Sequence, residues 1–277
     1  MSHATGESIL KDTIAEMTYP EVEAAVTRGA IALWGLGVIE QHGPHLPAAT
    51  DVYIPSVRLR TVKRLLAEQG IEALIIPPFY WGVNHVSAAF PATIKVRPEI
   101  VSALITDVMA SLAADGLRKL FCFSGHNDRA HNATIFAAMC QAAEQSALRG
   151  VFVAEDVMIR RLDVDLPHPH ALGFHVSPLD PPSPYFDVHA GNWETSVMLA
   201  FNPEVVRAEK IPALAPTNLQ AEDLAEWRKG DTAARRVTPL GYFGDPAAAT
   251  AERGRQLIAR EAEAIVAAML PRLRETP

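Results

Sequence analysis

Only two cysteines, Cys122 and Cys140, occur in the 277 residues. Cys122 lies in an apolar run of strand character and Cys140 in a helical one, so both read as small core hydrophobes. Neither a disulfide framework nor a cysteine-based zinc site is expected. Basic runs are missing as well, and a formal net charge of −7 argues against nucleic acid or an anionic membrane as the main partner. No uninterrupted apolar stretch approaches the ~20 residues needed to span a bilayer. Met1-Ser2-His3-Ala4-Thr5-Gly6-Glu7 lacks a charged segment leading into an apolar core, so no signal peptide and a reducing cytoplasm are expected. Internal repeats are absent too. With 49% hydrophobic residues and a mean hydropathy of +0.07, the composition fits an ordinary soluble globular enzyme.

What the chain does have is an alternation of strand-like and helix-like segments. Ile31–Ile39 reads as a buried strand, Asp51–Gln69 as a helix and Ile71–Pro78 as a second strand. A helix over Pro98–Asp115, a strand over Leu117–Phe123, a helix over Asn132–Leu148 and a strand from Val151 to Ala154 continue the pattern. A short helix is expected at Tyr19–Arg28, another over Trp193–Leu199, and an amphipathic one over Ala248–Arg274. Strands alternating with helices imply an α/β fold with a mainly parallel sheet covered on both faces. Pro167–Pro184 has little periodicity and reads as a loop or lid within one domain spanning 1–277; its His168, His170 and His175 read as lid or surface residues.

Three of the strand ends carry ligand-type side chains. In parallel α/β sheets, sites form beyond the carboxyl ends of strands. The first strand runs into Glu40-Gln41-His42-Gly43-Pro44-His45, with Asp51 shortly after. Glu40 and His42, two apart in extended chain, point to one side, and with Asp51 they suit a divalent ion such as zinc or manganese. The third strand leads through Ser124-Gly125 to His126 and Asp128. His126 is a ligand candidate or a satisfied structural histidine; Asp128 is a ligand or a helix N-cap; His131, one turn on, reads as packing or as support for a ligand. The last cluster, Asp187 to Ser196, holds His189 and Glu194. Glu194 is a ligand, or an anion placed in a first helical turn by the helix dipole.

Gly37-Val38-Ile39-Glu40-Gln41-His42-Gly43-Pro44-His45-Leu46-Pro47-Ala48-Ala49-Thr50-Asp51 and His189-Ala190-Gly191-Asn192-Trp193-Glu194-Thr195-Ser196 resemble the signature motifs of the creatininase (creatinine amidohydrolase) family. Pro77–His85, Phe90-Pro91-Ala92-Thr93-Ile94 and the tail Gly241–Pro246 are similar to further family stretches, in the expected order. The resemblance implies a three-layer α/β/α sandwich, often a homohexamer, and a binuclear centre of zinc, with manganese or iron as alternatives. It implies Glu40, His42, Asp51 and His126 as ligands with Asp51 bridging, Asp128 at a further ligand position, His189 as general acid/base and Glu194 as ligand or supporting residue. Arg129 is a candidate for a substrate carboxylate or an outward helix residue. Trp81 and His85 are candidate substrate contacts, and Tyr80, Trp81 and Trp193 a candidate aromatic wall or core.

The chain departs from the pattern at Ser124-Gly125-His126-Asn127-Asp128-Arg129 and at Ala92, where family members carry glycines, which puts creatinine itself in doubt as substrate. The leading expectation is metal-dependent hydrolysis of a non-peptide C–N bond, such as a cyclic amide, by activated water. The alternative keeps the metals but cleaves a lactone, or a C–C bond beside a ketone in a sugar-like molecule. A non-catalytic metal-binding scaffold is the reading from another class.

Overall fold

A computed structural model describes residues 8–177, 179 and 183–274. Five strands form one parallel sheet: β1 (Ile31–Leu36), β2 (Ala73–Phe79), β3 (Lys119–Ser124), β4 (Arg149–Glu155) and β5 (Ala171–Phe174). Their order is β2-β1-β3-β4-β5, so the chain starts near the middle and winds to both edges. α1 (Tyr19–Thr27) precedes β1, and α2 (Thr50–Glu68), α3 (Pro98–Ala114), α4 (Arg129–Gln145) and α5 (Asp156–Arg161) run between successive strands. After β5 come α6 (Asn192–Phe201), α7 (Ala221–Trp227), α8 (Asp231–Val237) and α9 (Ala251–Arg274).

The period of two in the strands divides the apolar residues between two helical layers. Ala32, Trp34 and Leu36 of β1 join Ile105 and Met109 of α3 and Ile135 and Met139 of α4 in one core. Ile31 and Leu33 face the other way, against Leu59, Val62 and Leu66 of α2 and Ile265 and Met269 of α9. The expected three layers are present. A third cluster joins the first half of α2 to α6 and to Ile258 of α9, beyond the strand ends. That satellite core steadies the site loops.

Several boundaries differ from expectation for physical reasons. β1 stops at Leu36, because its pairing with β2 slips after Trp34 and residues 37–39 leave the sheet. Pro77 and Pro78 stay within β2 because β2 is an edge strand, where a missing N–H costs little. The segment expected as loop from Pro167 to Pro184 contains strand β5, paired with β4 through Phe152↔Ala171 to Glu155↔Phe174. Positions 178 and 180–182 of that segment lie outside the described residues. Among the described residues no helix is long and apolar enough to cross a membrane.

Candidate metal centre

Asp51 opens α2, and two features of the backbone hold it beyond the sheet. Pro55 has no N–H, so the Asp51 carbonyl lacks its partner four residues on. That carbonyl packs instead against the chain just past β1 and β3. A Cβ on Gly37 would meet it at 2.1 Å and one on Gly125 at 2.2 Å, so both positions require glycine. The Asp51 carboxylate is thereby set between ligands arriving from the two neighbouring strands.

Its two oxygens face different imidazoles. Oδ1 lies 3.2 Å from His42 Nε2, and Oδ2 lies 3.1 Å from His126 Nδ1. Glu40 Oε1 stands 3.5 Å from His126 Nδ1 and 3.4 Å from His189 Nδ1, while Glu194 Oε2 is 3.7 Å from His42 Nε2. Three ligand groups result: Glu40 with Asp51 and His126, His42 with Asp51 and Glu194, and Glu40 with His42 and His189. All these side chains are buried save Glu194, which is 16% exposed.

Electrostatics bind the cluster together. Burial disfavours the His42 imidazolium, yet the carboxylates of Asp51, Glu194 and Glu40 override it and lift His42 to about 10. His126 is lifted to about 9 against the same burial penalty, by Glu40 and Asp51. Burial also opposes the Asp51 carboxylate, but His42 and His126 hold it well below the usual range. Glu40 is raised chiefly by burial, and Glu194 is pushed to about 7 by burial, with the Asp51 charge adding to it. Several buried anions thus stabilise protons on two imidazoles, the role that cations would fill.

The residues fit divalent ions. His42 Nε2 and Asp51 Oδ2 are buried without a hydrogen bond of good geometry, an expensive arrangement unless something else ligates them. The donor set of carboxylate oxygen and imidazole nitrogen suits zinc, manganese or iron. Supporting groups orient it. Ser87 Oγ donates to Glu40 Oε2 at 2.5 Å, and His42 Nδ1 sits 3.0 Å from the Glu40 carbonyl, which fixes the proton on Nδ1 and leaves Nε2 free. His189 Nε2 lies 2.8 Å from the Gln41 carbonyl, so Nε2 carries the proton and the Nδ1 lone pair points at Glu40.

The His189 loop is itself tied down. Phe243 N–H donates to the His189 carbonyl at 2.7 Å and Val188 N–H to the Phe243 carbonyl at 2.9 Å. At the start of α6, Glu194 Oε2 accepts from Ala190 N–H at 2.5 Å. Gly191 has no room for a Cβ, which would fall 1.9 Å from Asp187 Oδ1. Glu194 therefore ties down the loop that leads into its helix and faces the cluster with the same carboxylate.

Not every candidate joins the cluster. Asp128 is the N-cap of α4: Oδ1 accepts from Ala130 N–H, and Oδ2 from His85 and Val86 N–H. It lines the cavity but lies in none of the three ligand groups. Arg129 points away; its Nε donates to the Arg161 carbonyl and its Nη2 to Asp163 Oδ2. Trp81 is 44% exposed and stacks on Tyr80, outside the cavity lining. His85 is exposed, with Nε2 beside the Lys229 carbonyl. His131 packs edge-on against His126, 5.4 Å between ring centroids. Residues not foreseen include Ser87, Gln41, Arg161, Trp227 and Arg228. Trp227 lies 5.9 Å from the His189 ring and, with Arg228, lines the cavity.

The profile of the family described as creatinine amidohydrolase (Creatininase) matches residues 15–269. The mycofactocin precursor peptide peptidase of Mycobacterium ulcerans is 32% identical over 228 residues, covering 81% of this chain and 78% of that one. The creatinine amidohydrolase of Pseudomonas putida is 25% identical over 230 residues, covering 76% and 80%. A manganese form of creatininase superposes with a TM-score of 0.72 at 21% identity, covering 95% of this chain and 99% of that one. A zinc–zinc form of a creatininase variant gives 0.71 at 20% identity, covering 98% and 100%.

Proposed function

The chain belongs to the creatininase family, and from that premise we propose that it is a binuclear metal-dependent amidohydrolase. The observation that carries the proposal is Asp51, whose two oxygens face ligand atoms of two different groups. In this reading Glu40, Asp51 and His126 would hold one ion, and His42, Asp51 and Glu194 the other. Zinc or manganese there would lower the pKa of water towards ~7 and polarise a carbonyl.

The chain's own residues supply the remainder. Burial is the first cause that disfavours the His189 imidazolium, so the ring starts neutral. With Nε2 committed to the Gln41 carbonyl, Nδ1 is the atom that accepts a proton from the attacking water and returns it to the leaving nitrogen. Trp227 and Val188 wall the cavity and exclude bulk water. Asp128, by fixing the His85–Val86 backbone, shapes the cavity rim from the far side.

The bond attacked is an amide C–N bond. The relatives include one named for a peptide and one named for a cyclic amide, so the reading extends beyond the non-peptide bonds expected from the sequence. Incubating metal-loaded protein with cyclic amides, N-acyl amino acids, short peptides and lactones tests it. Release of amine from at least one amide, abolished by chelation, is expected. Turnover of lactones alone would overturn it.

A further inference from the structure

Two guanidinium groups converge on the cavity that holds the cluster. Arg161 stands at the end of α5 and Arg228 just past α7, elements far apart in sequence. Both line the small cavity that contains Glu40, Asp51, His126 and Glu194. Both also line the adjoining cavity of about 400 Å³. They are the only arginines common to the two among the described residues.

Their hydrogen-bonding capacity is largely open. The Arg161 guanidinium donates once, from Nη1 to the Asn127 carbonyl at 3.2 Å. Its main chain is fixed by Arg129, whose Nε donates to the Arg161 carbonyl at 2.7 Å. Arg228 is exposed, and its guanidinium has no hydrogen-bond acceptor or ion-pair partner among the described residues. Arg58, a third guanidinium on the larger cavity's wall, differs: it is engaged with Glu261 at 2.9 Å and with the Ser124 carbonyl at 3.3 Å. Of the acids in the two linings, Asp187 and Asp128 are engaged by backbone N–H groups, while Glu155 stands exposed on the larger cavity's wall. Asp187 Oδ2 accepts from Trp193 N–H, and Asp128 is filled by three backbone N–H groups.

Like charges brought together repel, and the repulsion is felt. Burial first, then the neighbouring Arg228, depresses Arg161 from its ordinary value. A protein that places two cations with ten N–H donors at one opening, and leaves most unpartnered, has the makings of an anion anchor. The larger cavity has a mixed wall, in which Phe123, Val153, Met158 and Phe174 supply an apolar portion beside its charged groups.

We propose that Arg161 and Arg228 bind a carboxylate of the substrate, so that the enzyme acts on amides carrying a free carboxylate near the scissile bond and an apolar side chain. N-acyl amino acids and short peptides with a free C-terminus belong to this class; neutral cyclic amides do not. The proposal rests on the amidohydrolase reading for the placement of the scissile bond. Fork-shaped guanidinium groups match a planar carboxylate bidentately, and a shared carboxylate also removes their mutual repulsion.

The test compares N-acetyl-L-leucine with N-acetyl-L-leucinamide, which differ only in the carboxylate, by calorimetric titration of metal-loaded protein. The acid is expected to bind at least about tenfold more tightly than the carboxamide. R228A and R161M should each erode that preference, with carboxamide affinity and metal content unchanged. Equal binding of the two probes, no binding of either, or a preference that survives in both variants would overturn the proposal; the last would assign the carboxylate to the metals. Turnover separates this failure from failure of the wider reading. Hydrolysis of neutral cyclic amides with no gain from a carboxylate removes the anchor and leaves the amidohydrolase standing. Absence of amide hydrolysis in protein with both ions bound removes the amidohydrolase whatever the titration shows.

Discussion

A Cβ placed on Gly125 would stand 2.2 Å from the carbonyl oxygen of Asp51. The close approach joins the end of β3 to the first turn of α2 and sets the distance between His126 and the Asp51 carboxylate, now 3.1 Å. G125A must therefore push α2 outward. We expect the metal-loaded protein to lose about 1–3 kcal/mol of stability from overpacking. Its metal affinity should fall as well, because two ligands separate. Denaturant unfolding and metal titration check both, and unchanged metal affinity would show that the contact does not position Asp51.

Ser87 holds Glu40 through a 2.5 Å hydrogen bond from a loop that no strand or helix orders. S87A should lower metal affinity by about 10- to 100-fold, the usual effect of losing a group that orients a ligand. The circular dichroism spectrum should stay that of the parent. A metal affinity within twofold of the parent's, by competition with a chromophoric chelator, would contradict this, since about twofold lies well outside that range.

His189 separates two roles. As the proton carrier, its replacement in H189N should cost about 10²–10⁴ in kcat and leave metal content intact. Were it chiefly a ligand through Nδ1, the variant would lose metal together with activity. Parallel metal analysis and kinetics decide between them.

The pH dependence of metal-free protein follows from the same cluster. His42 and His126 titrate at about 10 and about 9 in the fold against 6.5 when unfolded, so the stability they contribute is full below pH 6.5 and is lost as pH rises through those values. Glu194, raised from 4.5 to about 7, also costs stability as pH rises between those two values. His45, His131 and His189 are depressed to about 4, 3 and 3, and burial is the first cause in each, so below pH 6.5 they cost stability that returns as pH rises towards it. Metal-free protein should therefore have its highest melting temperature near neutrality and lose stability steeply towards pH 10. Bound ions replace the imidazole protons and should flatten the alkaline limb, with proton release on metal binding. Thermal melts across pH, with and without chelator, check this; parallel alkaline limbs would count against ions replacing those protons.

Much of the sheet and its two helical layers was legible in the sequence, because the apolar runs of β1 to β4 and the stripes of α2, α3 and α9 follow simple periods. β5 was not, for its four residues sit among prolines and histidines and become a strand only by pairing with β4. In the site, Glu40, His42, Asp51, His126, His189 and Glu194 announced themselves as ligand types beside strand ends. The second rank did not. Trp227 ends α7 and Arg228 follows it; that seven-residue helix has no buried residue to mark it, and the two reach the cavity through a fold of the chain that spacing cannot show. Arg129 illustrates the converse: its charge drew attention, yet the structure uses it to hold the carbonyl of Arg161, and Arg161 faces the cavity.

The most direct test of the central claim is the metal content of protein purified without chelator, measured by mass spectrometry alongside D51A. A centre bridged by Asp51 predicts close to two equivalents of zinc, manganese or iron per chain in the parent and loss of both in the variant, since each oxygen of Asp51 serves a different ligand group. A single equivalent that survives in D51A, or no metal taken up on titration, would contradict the binuclear hydrolase.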